Sequence, residues 1–81
     1  MYYTYIIESK VDSTKHYIGH TADLQKRLNI HNNGKSTHTA NFRPWRLKLY
    51  IAFEKLEQAK KFEIYLKSGS GHAFAKNHFW S

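Results

Sequence analysis

The segment 17–31 constrains the fold most, because a short β-type stretch there leads directly into a helical pattern. Its first residues favour a strand, and we expect Gly19 to end that strand because glycine adopts backbone angles that other residues avoid. Thr21 is the predicted helix N-cap. Asp23 would then lie in the first turn, where a carboxylate suits the helix dipole. The segment therefore predicts a strand, a tight connection and a helix in immediate succession.

The helix predicted over residues 22–32 carries polar groups on its core-facing side. Arg27 and His31 are four residues apart and are therefore neighbours on one helix face. Leu24 and Leu28 lie on either side of the direction in which His31 points. A helix that needs only solubility places such polar groups on the opposite face, so Arg27 and His31 are candidate functional residues.

The rest of the chain adds two strands and two helices to this unit. Alternation of apolar and polar residues predicts a half-buried third strand, and glycines at 69 and 71 are expected to end the second helix. The expected inward side chains of the third strand are Leu47, Leu49, Ile51 and Phe53. The predicted strands cover about 2–8, 16–19 and 46–54, and the predicted helices about 22–32, 56–67 and 72–78. The order β-β-α-β-α-α gives an α+β fold, a small three-stranded, mostly antiparallel sheet flanked by helices.

Length and charge limit the class of protein. The chain has 81 residues, which we interpret as one domain over 1–81. Thirteen Lys and Arg against six Asp and Glu give a net charge of +7, which favours nucleic acid as partner before a membrane. No apolar run approaches the roughly 20 residues of a membrane span, and the N-terminus lacks a signal-peptide pattern. We therefore expect a cytoplasmic protein that does not associate with membranes.

The tripeptide Tyr17-Ile18-Gly19, ten residues before Arg27, resembles the second signature of the GIY-YIG nuclease family. Tyr3-Thr4-Tyr5 occupies the place of the first signature, a tyrosine-ended tripeptide on the preceding strand. Glu63 occupies the place of the family's single acidic residue on a later helix. The resemblance extends from Tyr3 to about Lys76 and is closest to the short, single-domain branch that resembles excision-repair nuclease N-terminal domains. It implies the GIY-YIG nuclease fold and a metal-dependent endonuclease, with DNA as the expected substrate.

Three positions depart from the family pattern. Tyr3 stands where the first signature has a small glycine. His20, three residues after Tyr17, stands where some members carry a lysine. Ala75 occupies the place of an asparagine that some members use about twelve residues after the glutamate.

The resemblance implies catalytic roles for Tyr5, Tyr17, Arg27, His31 and Glu63. One tyrosine would deprotonate a water, and we assign this role to Tyr5, with Tyr17 as its partner or a phosphate contact. A phenol with a pKa near 10 is a poor base at neutral pH, and His31, with an ordinary pKa near 6.5, is a suitable helper. Arg27 would stabilise charge in the transition state, and Glu63 would hold one Mg²⁺ or Mn²⁺ ion.

Each of these residues also has an ordinary structural interpretation. Glu63 would form a surface ion pair with Lys67 or Lys60. Arg27 would be a helix-surface arginine whose stem covers apolar area, and the tyrosines would be strand aromatics stacked across a hairpin.

Basic residues elsewhere are expected to contact nucleic-acid phosphates. The predicted contacts are His20, Lys35, Arg43, Arg46 and Lys48. With nearby aromatic residues they would equally serve a non-catalytic nucleic-acid-binding module on the same fold, which is the alternative function. Because the catalytic set is complete, we favour the nuclease. Larger family members carry a separate targeting domain, so a protein partner for targeting is also expected.

Overall fold

Three strands and three helices make up the computed structural model, which describes residues 1–80 and leaves Ser81 outside the described residues. The elements are β1 (Tyr2–Ser9), β2 (His16–Thr21), α1 (Leu24–Asn32), β3 (Trp45–Phe53), α2 (Leu56–Lys67) and α3 (Gly69–His78), with one 3₁₀ turn at Ala40–Phe42. The strand order is β2-β1-β3, and both pairings are antiparallel. No helix within residues 1–80 is long and apolar enough to cross a bilayer. The predicted α+β class and element order are confirmed.

The central strand β1 is buried on both faces, because α1 packs on one side of the sheet and α2 on the other. Tyr5 and Ile7 project into a cluster with Trp45, against which leucines of α1 pack. On the opposite face, the Thr4 hydroxyl donates a hydrogen bond to the Ala59 carbonyl of α2 at 2.7 Å. The alternation of side chains along β1 therefore places Tyr5 on the α1 side of the sheet.

Helix α1 begins after the predicted start, because the pairing of β2 continues past its glycine. Thr21 pairs with Tyr3 at the end of β2 and is not the N-cap. Asp23 is the N-cap, and its carboxylate accepts a hydrogen bond from the Lys26 backbone N–H at 3.0 Å. Asp caps helices at least as well as Thr, so the helix starts where strand pairing permits it.

Gly19 does not end β2, and its role in the structure is steric. The sheet register places Gly19 directly opposite Tyr5. A Cβ atom at Gly19 would lie 2.5 Å from the Tyr5 hydroxyl oxygen, well inside van der Waals contact. The Tyr5 ring therefore lies against the β2 backbone at Gly19, which has no side chain.

A β-bulge changes the predicted inward face of β3. Ile6 pairs with Leu49 but Ile7 pairs with Leu47, so Lys48 is the extra residue on β3. Leu47 consequently packs with the cluster on the α1 side, whereas Leu49 lies on the face that α2 covers. The prediction that all the alternating apolar residues of β3 share one face was wrong, because a bulge shifts side-chain alternation by one residue.

Helix α3 starts before the predicted residue 72. Ser68 is its N-cap and accepts a hydrogen bond from the Gly71 backbone N–H at 3.2 Å. Gly71 is buried, and a Cβ atom there would lie 1.8 Å from the Tyr65 carbonyl oxygen of α2. The glycine therefore permits close approach of two helix ends. Helix α2 ends before Gly69, as predicted, but both glycines lie inside α3 and not ahead of it.

Candidate active site

The Tyr5 hydroxyl is the centre of a buried polar network. It lies 2.8 Å from His31 Nε2 and accepts a hydrogen bond from Arg27 Nε at 3.3 Å. His31 Nδ1 lies 2.8 Å from the Thr39 hydroxyl, which donates to the Ser36 carbonyl at 3.4 Å. Since the Thr39 oxygen then accepts from Nδ1–H, the neutral imidazole presents Nε2 as an acceptor. Tyr5 therefore donates its hydroxyl proton to His31.

Burial determines the resting charge of this pair. Burial, and then the positive charge of Arg27, lower the pKa of the His31 imidazole to about 4. Burial raises the pKa of the Tyr5 phenol above its ordinary value, despite the opposing hydrogen bond from Arg27. At neutral pH both rings are therefore uncharged, and the shared proton resides on Tyr5.

Glu63 extends from α2 and is held by two basic side chains. Its Oε1 atom lies 2.6 Å from His20 Nδ1, and its Oε2 atom accepts a hydrogen bond from Lys67 Nζ at 2.8 Å. Burial raises the pKa of the Glu63 carboxyl, but the hydrogen bonds from Lys67 and His20 outweigh it, and the pKa is lowered overall. The carboxylate is therefore ionised at neutral pH. The ion pair with Lys67 considered from the sequence is present, and His20, predicted as a nucleic-acid contact, is a second partner.

Tyr17 connects the two groups of polar residues. Its ring centroid lies 5.0 Å from that of His31, and Lys67 Nζ lies 5.6 Å from the Tyr17 ring. Tyr17 pairs across the hairpin with Ile7, so the two site tyrosines are not directly opposite each other. The structure thus brings together the five residues that the sequence nominated, Tyr5, Tyr17, Arg27, His31 and Glu63.

Two of the predicted phosphate contacts lie away from this group. Arg46 forms an ion pair with Glu8, and Lys48 Nζ lies 3.6 Å from the same carboxylate. Glu8 projects from the face of β1 opposite to Tyr5, by the alternation of the strand. Arg46 and Lys48 are therefore neutralised in part by one carboxylate on the other side of the sheet.

Two further predicted phosphate contacts, Lys35 and Arg43, lie beyond the end of α1. Gly34 follows this helix with a φ of 75°, and the Arg43 guanidinium lies against it. Lys35 is the next residue along the chain. Among residues 1–80, neither Lys35 nor Arg43 forms an ion pair with an acidic side chain. Their charges are therefore available to an anionic partner.

Thr39 is the site residue that sequence reasoning missed. It is fully buried, and its carbonyl accepts a hydrogen bond from the Trp45 indole Nε1–H at 2.8 Å. The Asn32 side chain also bonds the Trp45 backbone, accepting from N–H at 2.6 Å and donating to the carbonyl at 3.1 Å. These contacts hold the loop between α1 and β3 beneath His31. The loop has no periodic pattern, so the sequence contained no signal for Thr39.

The side chains of the site fit a divalent cation only if few of its ligands come from the protein. Within residues 1–80, no group of three or more His, Cys, Asp or Glu side chains converges on one point. Glu63 nevertheless offers an ionised carboxylate, and one carboxylate completed by waters and substrate phosphate is ordinary for Mg²⁺. The cation now at Oε2 is the Lys67 ammonium, whose side chain is 49% exposed and can turn into solvent. The residues therefore fit a one-carboxylate site, at which a metal ion would replace the Lys67 ammonium on Oε2.

Comparison with known proteins identifies similar sequences and a similar structure. The family model of the GIY-YIG catalytic domain matches residues 1–77. A UPF0213 protein of Clostridium perfringens is 37% identical over 68 residues, which are 83% of this chain and 71% of the relative. A UPF0213 protein of Streptococcus pyogenes serotype M3 is 41% identical over 66 residues, 80% of this chain and 70% of the relative. The solution NMR structure of a UPF0213 protein from Bacillus halodurans matches with a TM-score of 0.54 and 30% identity, covering 98% of this chain and 87% of that one.

Proposed function

The chain belongs to the GIY-YIG catalytic-domain family, and from that premise we propose that it is a metal-dependent endonuclease that hydrolyses phosphodiester bonds, with DNA as the expected substrate. The observation that carries the proposal is the Tyr5 hydroxyl, which lies between His31 Nε2 and Arg27 Nε. A phenol with both a proton acceptor and a cation at hydrogen-bond distance has what it needs to act as a base. Family membership supports the reaction class, and the geometry supports the roles of individual residues.

We assign proton transfer to Tyr5 and His31. Tyr5 accepts a proton from the attacking water as its own hydroxyl proton passes to His31 Nε2, 2.8 Å away. In the free domain, burial favours the uncharged forms of Tyr5 and His31. The proton transfer therefore occurs only when the negative charge of the bound substrate stabilises the protonated His31. The Arg27 guanidinium stabilises the negative charge that develops on the phenol oxygen.

Arg27 also has donors for the phosphate, because its bond to Tyr5 uses the Nε–H and leaves the two terminal nitrogens. The hydrogen bond to Tyr5 raises the pKa of the guanidinium, and Tyr17 is near enough to raise it further. Arg27 lines an open cavity of about 330 Å³ together with Lys26 and Thr21. A guanidinium binds phosphate oxygens in a bidentate manner, and a neighbouring ammonium adds positive charge. We propose that the scissile phosphate enters from this cavity, with Arg27 stabilising its transition state.

Glu63 is the proposed ligand for one Mg²⁺ or Mn²⁺ ion. When bound there, the ion would supply Lewis-acid stabilisation of charge on the phosphate and the leaving oxygen. Glu63 stays ionised for this task because its pKa is lowered, and Lys67, which holds Oε2 at 2.8 Å, would have to turn away from that oxygen. Hydrolysis adds the water oxygen to phosphorus and breaks the bond to the 3′ oxygen. By the family pattern the products carry a 5′-phosphate and a 3′-hydroxyl.

Replacement of Glu63 by Gln tests the proposal. Gln keeps the side-chain volume but removes the charge, so cleavage in Mg²⁺ or Mn²⁺ should fall more than ~100-fold, or about 2.7 kcal/mol of transition-state stabilisation. The matched control is Glu57→Gln, an exposed position of the same helix, which should cleave normally. The assay uses branched, nicked, single-stranded and duplex DNA, with chelator as a blank. Full activity of Glu63→Gln would remove Glu63 from the mechanism.

A non-catalytic nucleic-acid-binding module is the second candidate function. It is favoured by the burial of Tyr5 and His31, which are 2% and 0% exposed, and by the occupation of both Glu63 oxygens by His20 and Lys67. Binding of these DNAs by the wild-type protein, without cleavage in either metal, would support this module and overturn the nuclease.

A further inference from the structure

A half-buried tyrosine, Tyr3, and an exposed one, Tyr50, form a pair on the sheet face that carries Tyr5. Tyr3 lies two residues before Tyr5 on β1, and Tyr50 of β3 pairs directly with Tyr5, so all three side chains project from one face. The rings of Tyr3 and Tyr50 meet edge to face, with centroids 5.7 Å apart at 80°. Tyr50 is 51% exposed. The face that holds the proposed general base thus continues into an aromatic surface open to solvent.

The side chains that flank Tyr3 on the neighbouring strands are small. The residues paired with Tyr3 are Thr21 on β2 and Ala52 on β3, which are both small. The leucines of α1 pack against the cluster of Tyr5, Ile7 and Trp45, whereas Tyr50 on the edge strand β3 stays exposed. Exposed aromatic area next to a polar site is typical of an interaction surface, because a protein without a partner there would be more stable with its aromatic rings buried.

Positive charge adjoins the tyrosine pair. Thr21, the strand partner of Tyr3, lines the same cavity of about 330 Å³ as Lys26 and Arg27. The charges of these two side chains outnumber that of the one carboxylate in the lining, Asp23. A surface that combines aromatic rings with cations binds single-stranded nucleic acid, because bases stack on the rings while phosphates contact the cations. A base within a duplex has both faces covered by its neighbours and must leave the stack before it can meet a protein ring.

We propose that Tyr3 and Tyr50 stack an unpaired base of the substrate strand beside the phosphate at Arg27. The substrate is then a single strand, or a structure with unpaired nucleotides next to the scissile bond. This inference rests on the proposed function for the position of the phosphate, but base stacking itself requires no catalysis. The surface depends on a departure from the family pattern, because the glycine of the first signature would provide no ring at the position of Tyr3.

The test is binding in chelator, where no cleavage occurs, by fluorescence anisotropy with the full chain. The probes are labelled single-stranded DNA, single-stranded RNA and duplex DNA of one sequence. We expect the single strands to bind more tightly than the duplex. Tyr50→Ala should weaken single-strand binding about tenfold and leave duplex binding unchanged, given the free energy of stacking one base on an aromatic ring. Whichever single strand binds more tightly identifies the sugar that the surface accepts.

Matched variants separate stacking from an effect on folding. Tyr50→Phe keeps the ring and should bind single strands like the wild type. Tyr65→Ala removes another exposed tyrosine, on α2, and should also leave binding unchanged. Tyr3→Ala should repeat the loss from the second ring of the pair. Circular dichroism melting of each variant checks that the fold is retained.

Two outcomes would overturn the inference: equal affinity for single strands and duplex, or an equal loss on both probes in Tyr50→Ala. Failure of the proposed function would look different, because it is a lack of cleavage in Mg²⁺ or Mn²⁺ by a protein that still binds. Stacking without cleavage would retain this surface and reject the nuclease. Cleavage of single strands by a Tyr50→Ala variant at the wild-type rate would retain the nuclease and reject the surface.

Discussion

At the residue scale, removal of the Tyr5 hydroxyl tests whether Tyr5 or Tyr17 is the general base. Tyr5→Phe removes the group between His31 and Arg27, so turnover should fall at least ~100-fold while nucleic-acid affinity changes little. The change also leaves the buried His31 Nε2 without a donor, which should cost about 1–3 kcal/mol of stability. Single-turnover cleavage and urea unfolding measure the two effects. If Tyr5→Phe cleaves normally and Tyr17→Phe is inactive, the general base is Tyr17.

The lowered pKa of His31 makes stability depend on pH. The folded chain has a His31 pKa of about 4, against an ordinary value near 6.5 in the unfolded chain. Between these values the unfolded chain binds more protons, so the free energy of unfolding falls as pH falls, by up to about 1.4 kcal/mol per pH unit. His31→Gln should flatten this dependence in urea unfolding between about pH 7 and about pH 5. The exposed His72→Gln is the control, and an unchanged slope in His31→Gln would contradict the assignment.

At the element scale, β2 requires a residue without a side chain opposite Tyr5. Gly19→Ala would place a methyl group 2.5 Å from the Tyr5 hydroxyl oxygen. Because hydrogen bonds to His31 and Arg27 hold that hydroxyl, the ring cannot move freely, and the substitution should cost about 1–3 kcal/mol. Gly69→Ala is the control, because a Cβ atom there meets nothing within 4 Å, and it should be neutral or slightly stabilising. Urea unfolding of both variants provides the comparison.

The start of α3 shows how an element boundary arises from contact between helices. Ser68 caps α3, and Gly71 allows its first turn to approach the Tyr65 carbonyl of α2. Two glycines in a helical pattern ordinarily lower helix propensity, which is why the sequence predicts a later start. Packing against α2 offsets that loss, because it buries Ala75 on the inner side of α3.

At the scale of the whole molecule, the net charge of +7 is distributed between paired and unpaired cations. Lys48 shares Glu8 with Arg46, whereas Arg43 has no acidic partner among residues 1–80. Each phosphate contact on duplex DNA contributes a slope of about −0.9 to the dependence of log affinity on log salt. Arg43→Ala should therefore reduce the magnitude of the slope by roughly one unit, and Lys48→Ala by less.

Titration of metal-free Glu63→Gln protein against labelled duplex at several salt concentrations measures these slopes. The inactive variant prevents cleavage during the titration. Equal effects of Arg43→Ala and Lys48→Ala would mean that the ion pair with Glu8 does not withhold Lys48 from DNA. Unchanged slopes in both variants would mean that the positive charge serves solubility.

Local pattern by itself determined the order of the elements and the placement of several candidate site residues. Helix α2 was predicted over 56–67 and is found at Leu56–Lys67, with Ala59 and Leu66 buried as its apolar stripe requires. Arg27 and His31 share a helix face because the α-helical repeat brings residues four apart together. On α2, Glu63 lies at the edge of the apolar stripe because of the same helical repeat. Such features depend on neighbours within a turn or two, so one segment of sequence contains the information.

Only the tertiary structure decided the features that arise from contacts between segments far apart in the chain. Thr39 becomes the partner of His31 because Asn32 and Trp45 hold an unpatterned loop beneath it. Lys48 becomes a bulge residue because the pairing of β1 with β3 shifts by one position. Gly19, expected to end a strand, instead gives space to the ring of Tyr5. In each case the energy lies in close contacts between residues far apart in the chain, and no local periodicity reports such contacts.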